Sequence, residues 1–144
     1  MCLLAICKSN SMPEPEFREA FRINHDGVGF AWREKGKVAY IKGFMTVTEA
    51  WDAYKAFAEL KIFPHVLHFR LGSPTNNLLT HPFEITRDSK LRLNHLSQNE
   101  LLFHNGIIGG WKDRMFEMFV LRGGIPDGKL IDTRVMAIMV HFYG

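Results

Sequence analysis

The sequence lacks long hydrophobic runs. A bilayer-spanning helix needs about 20 apolar residues, and the apolar stretches here are far shorter. A basic n-region followed by an apolar segment and a small-residue cleavage site is also missing, so a cytoplasmic chain is expected, with no membrane partner. Cysteine is scarce: Cys2 and Cys7 stand alone, with no CxxC pair to suggest zinc. If both lie on one strand, their odd spacing sends them to opposite faces, so they do not pair. No GxGxxG or P-loop pattern occurs. Charge of one sign is not in excess, since 18 Lys+Arg against 15 Asp+Glu leave +3, without a basic run. Despite 12% aromatic residues, a nucleic-acid partner is therefore not expected.

What is present is an ordinary globular composition, 47% hydrophobic and 23% charged, long enough to bury a core. Internal repeats, linkers and low-complexity segments are missing, so one domain over 1–144 is expected. Residues 2–8 read as a buried strand. Ser11 and Glu14 have capping-box spacing before a short helical stripe of Phe17, Ala20 and Phe21. Segments 27–32 and 37–41 flank a hairpin turn at 34–36. Thr46 and Glu49 form a second capping box, opening a helix over 47–61. A strand at 65–71 leads into a polar loop, 72–80, which contains Gly72 and Pro74. Short strands are expected near 82–86 and 100–104, and helices at 111–122 and 133–142, the last capped by Asp132 or Thr133. This mixture, with hairpin-like neighbours, predicts α+β architecture with antiparallel sheets.

Four places carry more chemistry than packing needs. Cys2 sits where side chains rarely gain from packing, because termini fray unless tied down; Cys7 reads as a small buried hydrophobe. The stretch HDGVGFAW, 25–32, is the second. The third is HFRLGSPTNNLLTHPF, 68–83, where Arg70 reads either as an edge-strand arginine or as a carboxylate clamp. The fourth is LLFHNGIIGGW, 101–111. Asn105-Gly106 is a strong hairpin signal, yet an Asn amide and a neighbouring Gly N–H also suit a developing oxyanion. His65 and His68, three apart on a strand, face opposite ways and do not form a metal pair. Asp132 reads as an N-cap or as a partner for a ligand ammonium.

In order, these stretches resemble the class II glutamine amidotransferases, a branch of the N-terminal nucleophile hydrolases, and most closely the stand-alone type without a synthase domain. The matching residues are Met1-Cys2, His25-Asp26-Gly27-Val28-Gly29-Phe30-Ala31, His68-Phe69-Arg70 through Thr80-His81-Pro82-Phe83, Phe103-His104-Asn105-Gly106, and Asp132-Thr133. The resemblance implies an αββα sandwich of antiparallel sheets, here trimmed at its C-terminal end. Exposed sheet surface would then favour a homo-oligomer or a sheet-completing partner.

The resemblance also implies a reaction: hydrolysis of glutamine or a related carboxamide through a Cys2 thioester, releasing ammonia. Removal of Met1 would leave Cys2 with a free α-amine beside its thiol. An α-amine ordinarily titrates just above neutrality, a useful range for a base. Cys2 would be nucleophile and base together. Asn105 and the Gly106 N–H would hold the oxyanion, and Arg70 and Asp132 would hold the substrate's α-carboxylate and α-ammonium. His81 would belong to the substrate-binding group, and loop 71–80 would close over the site. No metal or organic cofactor is implied. The competing expectation is an inactive binding or regulatory protein that keeps the fold.

Overall fold

The computed structural model describes residues 1–73 and 75–144; Pro74, in the expected 72–80 loop, lies outside them. The chain is mixed α+β. Its strands are β1 (Leu3–Cys7), β2 (Val28–Glu34), β3 (Lys37–Phe44), β4 (His65–Phe69), β5 (Phe83–Glu84), β6 (Asn94–Ser97) and β7 (Leu101–Leu102). Its helices are α1 (Glu14–Ile23), α2 (Val47–Ala58), α3 (Trp111–Arg122) and α4 (Asp132–Tyr143). An antiparallel five-stranded sheet runs β1-β4-β2-β3-β6, and β5 pairs with β7 separately.

Period-two alternation gives the large sheet two different faces. Leu67, Phe69, Val28 and Phe30 point toward α1 and α2, where Phe17, Phe21, Ala50, Tyr54 and Phe57 complete the main core. Phe17 stacks on Tyr54 at 5.1 Å and meets the edge of Phe69 at 4.9 Å. Each fully buried Phe or Leu contributes about 1.5–3 kcal/mol, so this aromatic layer holds α1 and α2 on the sheet. Tyr54 also serves polar ends: its hydroxyl accepts from Met12 N at 2.8 Å and lies 2.9 Å from His65 Nε2. As expected, Cys7 is buried in this core, and both cysteines are free.

The opposite face carries His68, Gly29 and Lys42 side by side in the register. Segment 79–84 lies across it. A Cβ on Gly29 would stand 2.0 Å from the His81 carbonyl oxygen and 2.6 Å from Lys42 Cβ, so only glycine lets the segment come this close. Lys42 Nζ donates to Thr80 O and Pro82 O, both at 2.8 Å. Tyr40 and Ser97 both donate to the Glu84 carboxylate. Behind this segment, α4 and α3 pack through Phe83, Ile131 and Ala137 and through Met118, Val135 and Ile138.

Several expectations need correction. Ser11 does not cap α1: Pro13 is its N-cap without a side-chain bond, and Glu14 pairs with Arg18 at 2.7 Å instead. Thr46 caps α2, with Glu49 N to Thr46 Oγ1 at 3.3 Å, but the Glu49 carboxylate accepts from the Thr46 hydroxyl at 2.8 Å rather than from its backbone N–H, and α2 stops at Ala58. The N-cap of α4 is Ile131; Asp132 is already the first helical residue. No hairpin forms at Asn105-Gly106, because no strand follows and the chain runs into α3. The strands expected at 82–86 and 100–104 shrink to two residues each. β6 lay outside the expectation; its sequence Asn-His-Leu-Ser has no apolar alternation, and its pairing with β3 makes it a strand. Among the described residues, no helix is long and apolar enough to cross a membrane.

Candidate functional site

The N-terminal residues enter β1, whose neighbour β4 ends at Phe69 beside them. Cys2 thereby meets the segment that leaves β4: its Sγ lies 3.4 Å from Leu71 N and 3.6 Å from Leu71 O. Arg70 continues the pairing past the strand. Its N–H donates to Gly27 O, and its carbonyl accepts from Asp26 N, both at 2.9 Å. The Arg70 side chain folds inward, leaving the residue 5% exposed. Nη1 donates to Gly72 O at 2.6 Å, and among the described residues the guanidinium has no carboxylate partner. A buried guanidinium without a counter-charge favours an anionic ligand, because its desolvation is otherwise uncompensated.

Cys2, Arg70, His81, Gly106 and Asp132 line one cavity of about 170 Å³, with His104 and Thr133 among its other walls. These residues come from five separate parts of the chain. Asn105 does not join them: it is exposed and outside the cavity lining. Gly106 lines the cavity with φ +140°, a conformation side-chain-bearing residues rarely adopt.

Behind the cavity, α4 presents Asp132 and Thr133 to the 104–108 segment. Asp132 Oδ2 accepts from Ile108 N at 3.2 Å and Oδ1 from Thr133 N at 2.8 Å. Thr133 Oγ1 stands 3.2 Å from His81 Nε2 and 3.4 Å from His104 Nδ1. His104 O in turn lies 3.1 Å from His68 Nε2. The His68 and His81 rings are 4.0 Å apart between centroids, and the Nδ1 of each is buried without a partner among the described residues. Burial pushes His68 down to about 4, with Arg70 adding to the effect, while the His104 carbonyl opposes it. Burial drives His81 well below its ordinary value, helped by His68, Lys42 and Arg70. Both imidazoles are therefore neutral at pH 7. Burial also holds Lys42 down, to about 7.

His65 and His68 occupy opposite faces as expected, and no group of three metal-binding side chains occurs among the described residues. Three residues outside the expected site organise it. Asp26 accepts from Gly72 N at 2.8 Å and from Thr75 Oγ1 at 3.3 Å, fixing the segment that meets Cys2. His104 and Thr133 join the walls through the contacts above. All three stand inside motifs quoted from the sequence, but only their partners reveal the task. Compared with protein-family models and with curated proteins, the chain gives no match.

Proposed function

We propose that this chain is an N-terminal cysteine amidohydrolase of the class II glutamine amidotransferase type, with the αββα fold of the N-terminal nucleophile hydrolases. The observation that carries the reading is the cavity shared by Cys2, Arg70, His81, Gly106 and Asp132. A thiol, a carboxylate-binding cation and a backbone oxyanion donor have no packing reason to converge there.

In this reading, an aminopeptidase removes Met1, which is fully accessible at 90% exposure. The Cys2 amine takes the thiol proton as Sγ attacks the amide carbon. The C–S bond forms while the carbonyl π electrons move to oxygen, and the Gly106 N–H meets that charge. Asn105, the residue before Gly106, is the second donor that the resemblance implies, and here it is exposed, outside the cavity lining. As the oxyanion collapses, the C–N bond breaks and the protonated amine delivers its proton to the departing ammonia. Water then attacks the thioester, giving the carboxylate and restoring the thiol. Arg70 holds the substrate carboxylate with its planar fork. Leu71 places its N–H 3.4 Å and its carbonyl oxygen 3.6 Å from Sγ, which fixes the sulfur at the cavity wall.

Intact mass followed by treatment with diazo-oxo-norleucine tests this. Loss of Met1 and one adduct on Cys2 support it; ammonia release unchanged by Cys2→Ala sinks it. The exposure of Asn105 favours a second reading, a binding protein that keeps the fold without turnover. That reading predicts glutamine binding with no ammonia and no adduct. We also propose that the bare part of the sheet around Ile6, Val38 and Val66 supports self-association; a stable monomer by sedimentation at micromolar concentration counts against it.

A further inference from the structure

The Cys2 cavity, at about 170 Å³, is smaller than most ligand pockets, which run roughly 300–1,000 Å³. A second cavity of about 490 Å³ adjoins it, and Asp132 lines both. From Asp132 this trough follows one face of α4 through Met136, Met139, Val140 and Tyr143, at helical spacing. Eleven residues at 1.5 Å rise carry that face about 16 Å from the Cys2 cavity. Trp111, the first residue of α3, forms the facing wall, with Ile108 beside it. The charged groups at the rim satisfy one another: Arg114 pairs with Glu117 at 2.9 Å, and Tyr143 donates to the same carboxylate. The trough therefore offers a ligand apolar surface and, at its inner end, the Asp132 carboxylate.

That carboxylate already accepts two backbone N–H groups, from Ile108 and Thr133. An ammonium there would pair with the carboxylate charge; an acylated nitrogen gives up that pairing but keeps one N–H for the carboxylate, and its substituent gains the apolar wall of the trough. We propose that the preferred substrate is a glutamine-type carboxamide whose α-nitrogen carries an apolar acyl group, lying along α4 against Met136 and Trp111. The inference rests on the amidohydrolase reading, in which Arg70 holds the α-carboxylate and Cys2 attacks the side-chain amide. The reaction is unchanged: the side-chain carboxamide becomes a carboxylate, ammonia leaves, and the acylated nitrogen is untouched.

The test compares ammonia release from glutamine and from N-phenylacetyl-glutamine, using the full chain with Met1 removed. Burying a phenyl group predicts kcat/KM about tenfold or more higher for the acylated amide. Met136→Gln and Val140→Gln, both at half-buried positions, should lower that ratio, with thermal unfolding confirming that each variant folds. Equal or better use of glutamine, or a ratio that neither substitution moves, overturns the inference and leaves the amidohydrolase standing. Ammonia from neither amide with Cys2 still labelled by diazo-oxo-norleucine also overturns it. Ammonia from neither and no label on Cys2 overturns the underlying reading as well.

Discussion

His81 Nε2 lies 3.2 Å from the Thr133 hydroxyl. This contact ties the segment across the sheet to the first turn of α4, and the same hydroxyl reaches His104, one residue before Asn105. Removing it leaves a buried imidazole with neither nitrogen paired, since His81 Nδ1 has no partner among the described residues. Thr133→Val should cost about 1–3 kcal/mol in denaturant unfolding. Thr133→Ser should recover most of that, and under the proposed function should also recover kcat.

Arg70 is buried, and its fork faces no carboxylate among the described residues. Lysine keeps the charge but loses the paired donors. Arg70→Lys should raise KM for a carboxylate-bearing amide by about tenfold or more, as expected for a charged hydrogen bond worth roughly 1.5–3 kcal/mol. Steady-state kinetics check it: most of the loss should fall on KM, with kcat less affected.

Acid should destabilise the fold through His68 and His81. His68 is held at about 4 in the fold against 6.5 ordinarily. Between those values the unfolded chain binds more protons, so stability is present above pH 6.5 and is lost as pH falls toward 4. His68 alone accounts for about 3 kcal/mol of that loss at about 1.4 kcal/mol per pH unit. His81 acts in the same direction. Lys42, held at about 7 against 10.5, makes stability rise with pH across that higher window. Urea midpoints measured through both windows check the slopes, and His68→Phe should flatten the acid limb.

Gly29→Ala should be among the most damaging small substitutions in the sheet. The new methyl meets backbone at His81 as well as Lys42 Cβ, so no flexible side chain can give way. Overpacking of this kind costs about 1–3 kcal/mol or more, readable as a lowered thermal midpoint. Gly109→Ala serves as the control, since its added Cβ meets nothing within 4 Å and its φ is not positive.

The local elements were legible because their signals are local. Thr46 and Glu49 cap α2 with atoms three residues apart. Gly123, in the left-handed conformation, ends α3 where the sequence stops its helical pattern. The failures came where a partner far along the chain decides. Asn94–Ser97 becomes a strand only because β3 offers it backbone groups. Asn105-Gly106 has the chemistry of a hairpin turn, but the chain after it is held by α4, where Asp132 accepts the Ile108 N–H, and runs on into α3.

By itself the sequence determined which residues are chemically equipped: a thiol behind Met1, an arginine leaving an apolar strand, a glycine after Asn105. Local spacing also determined the helices and the first hairpin, because i to i+4 contacts and alternating faces are written in neighbouring residues. Only the tertiary structure decided that Cys2, Arg70, Gly106 and Asp132 share one hollow, and that Asn105 is exposed outside its lining. The physical reason is that those positions are set by long-range strand pairing and by the docking of α4, neither of which any short window of residues contains.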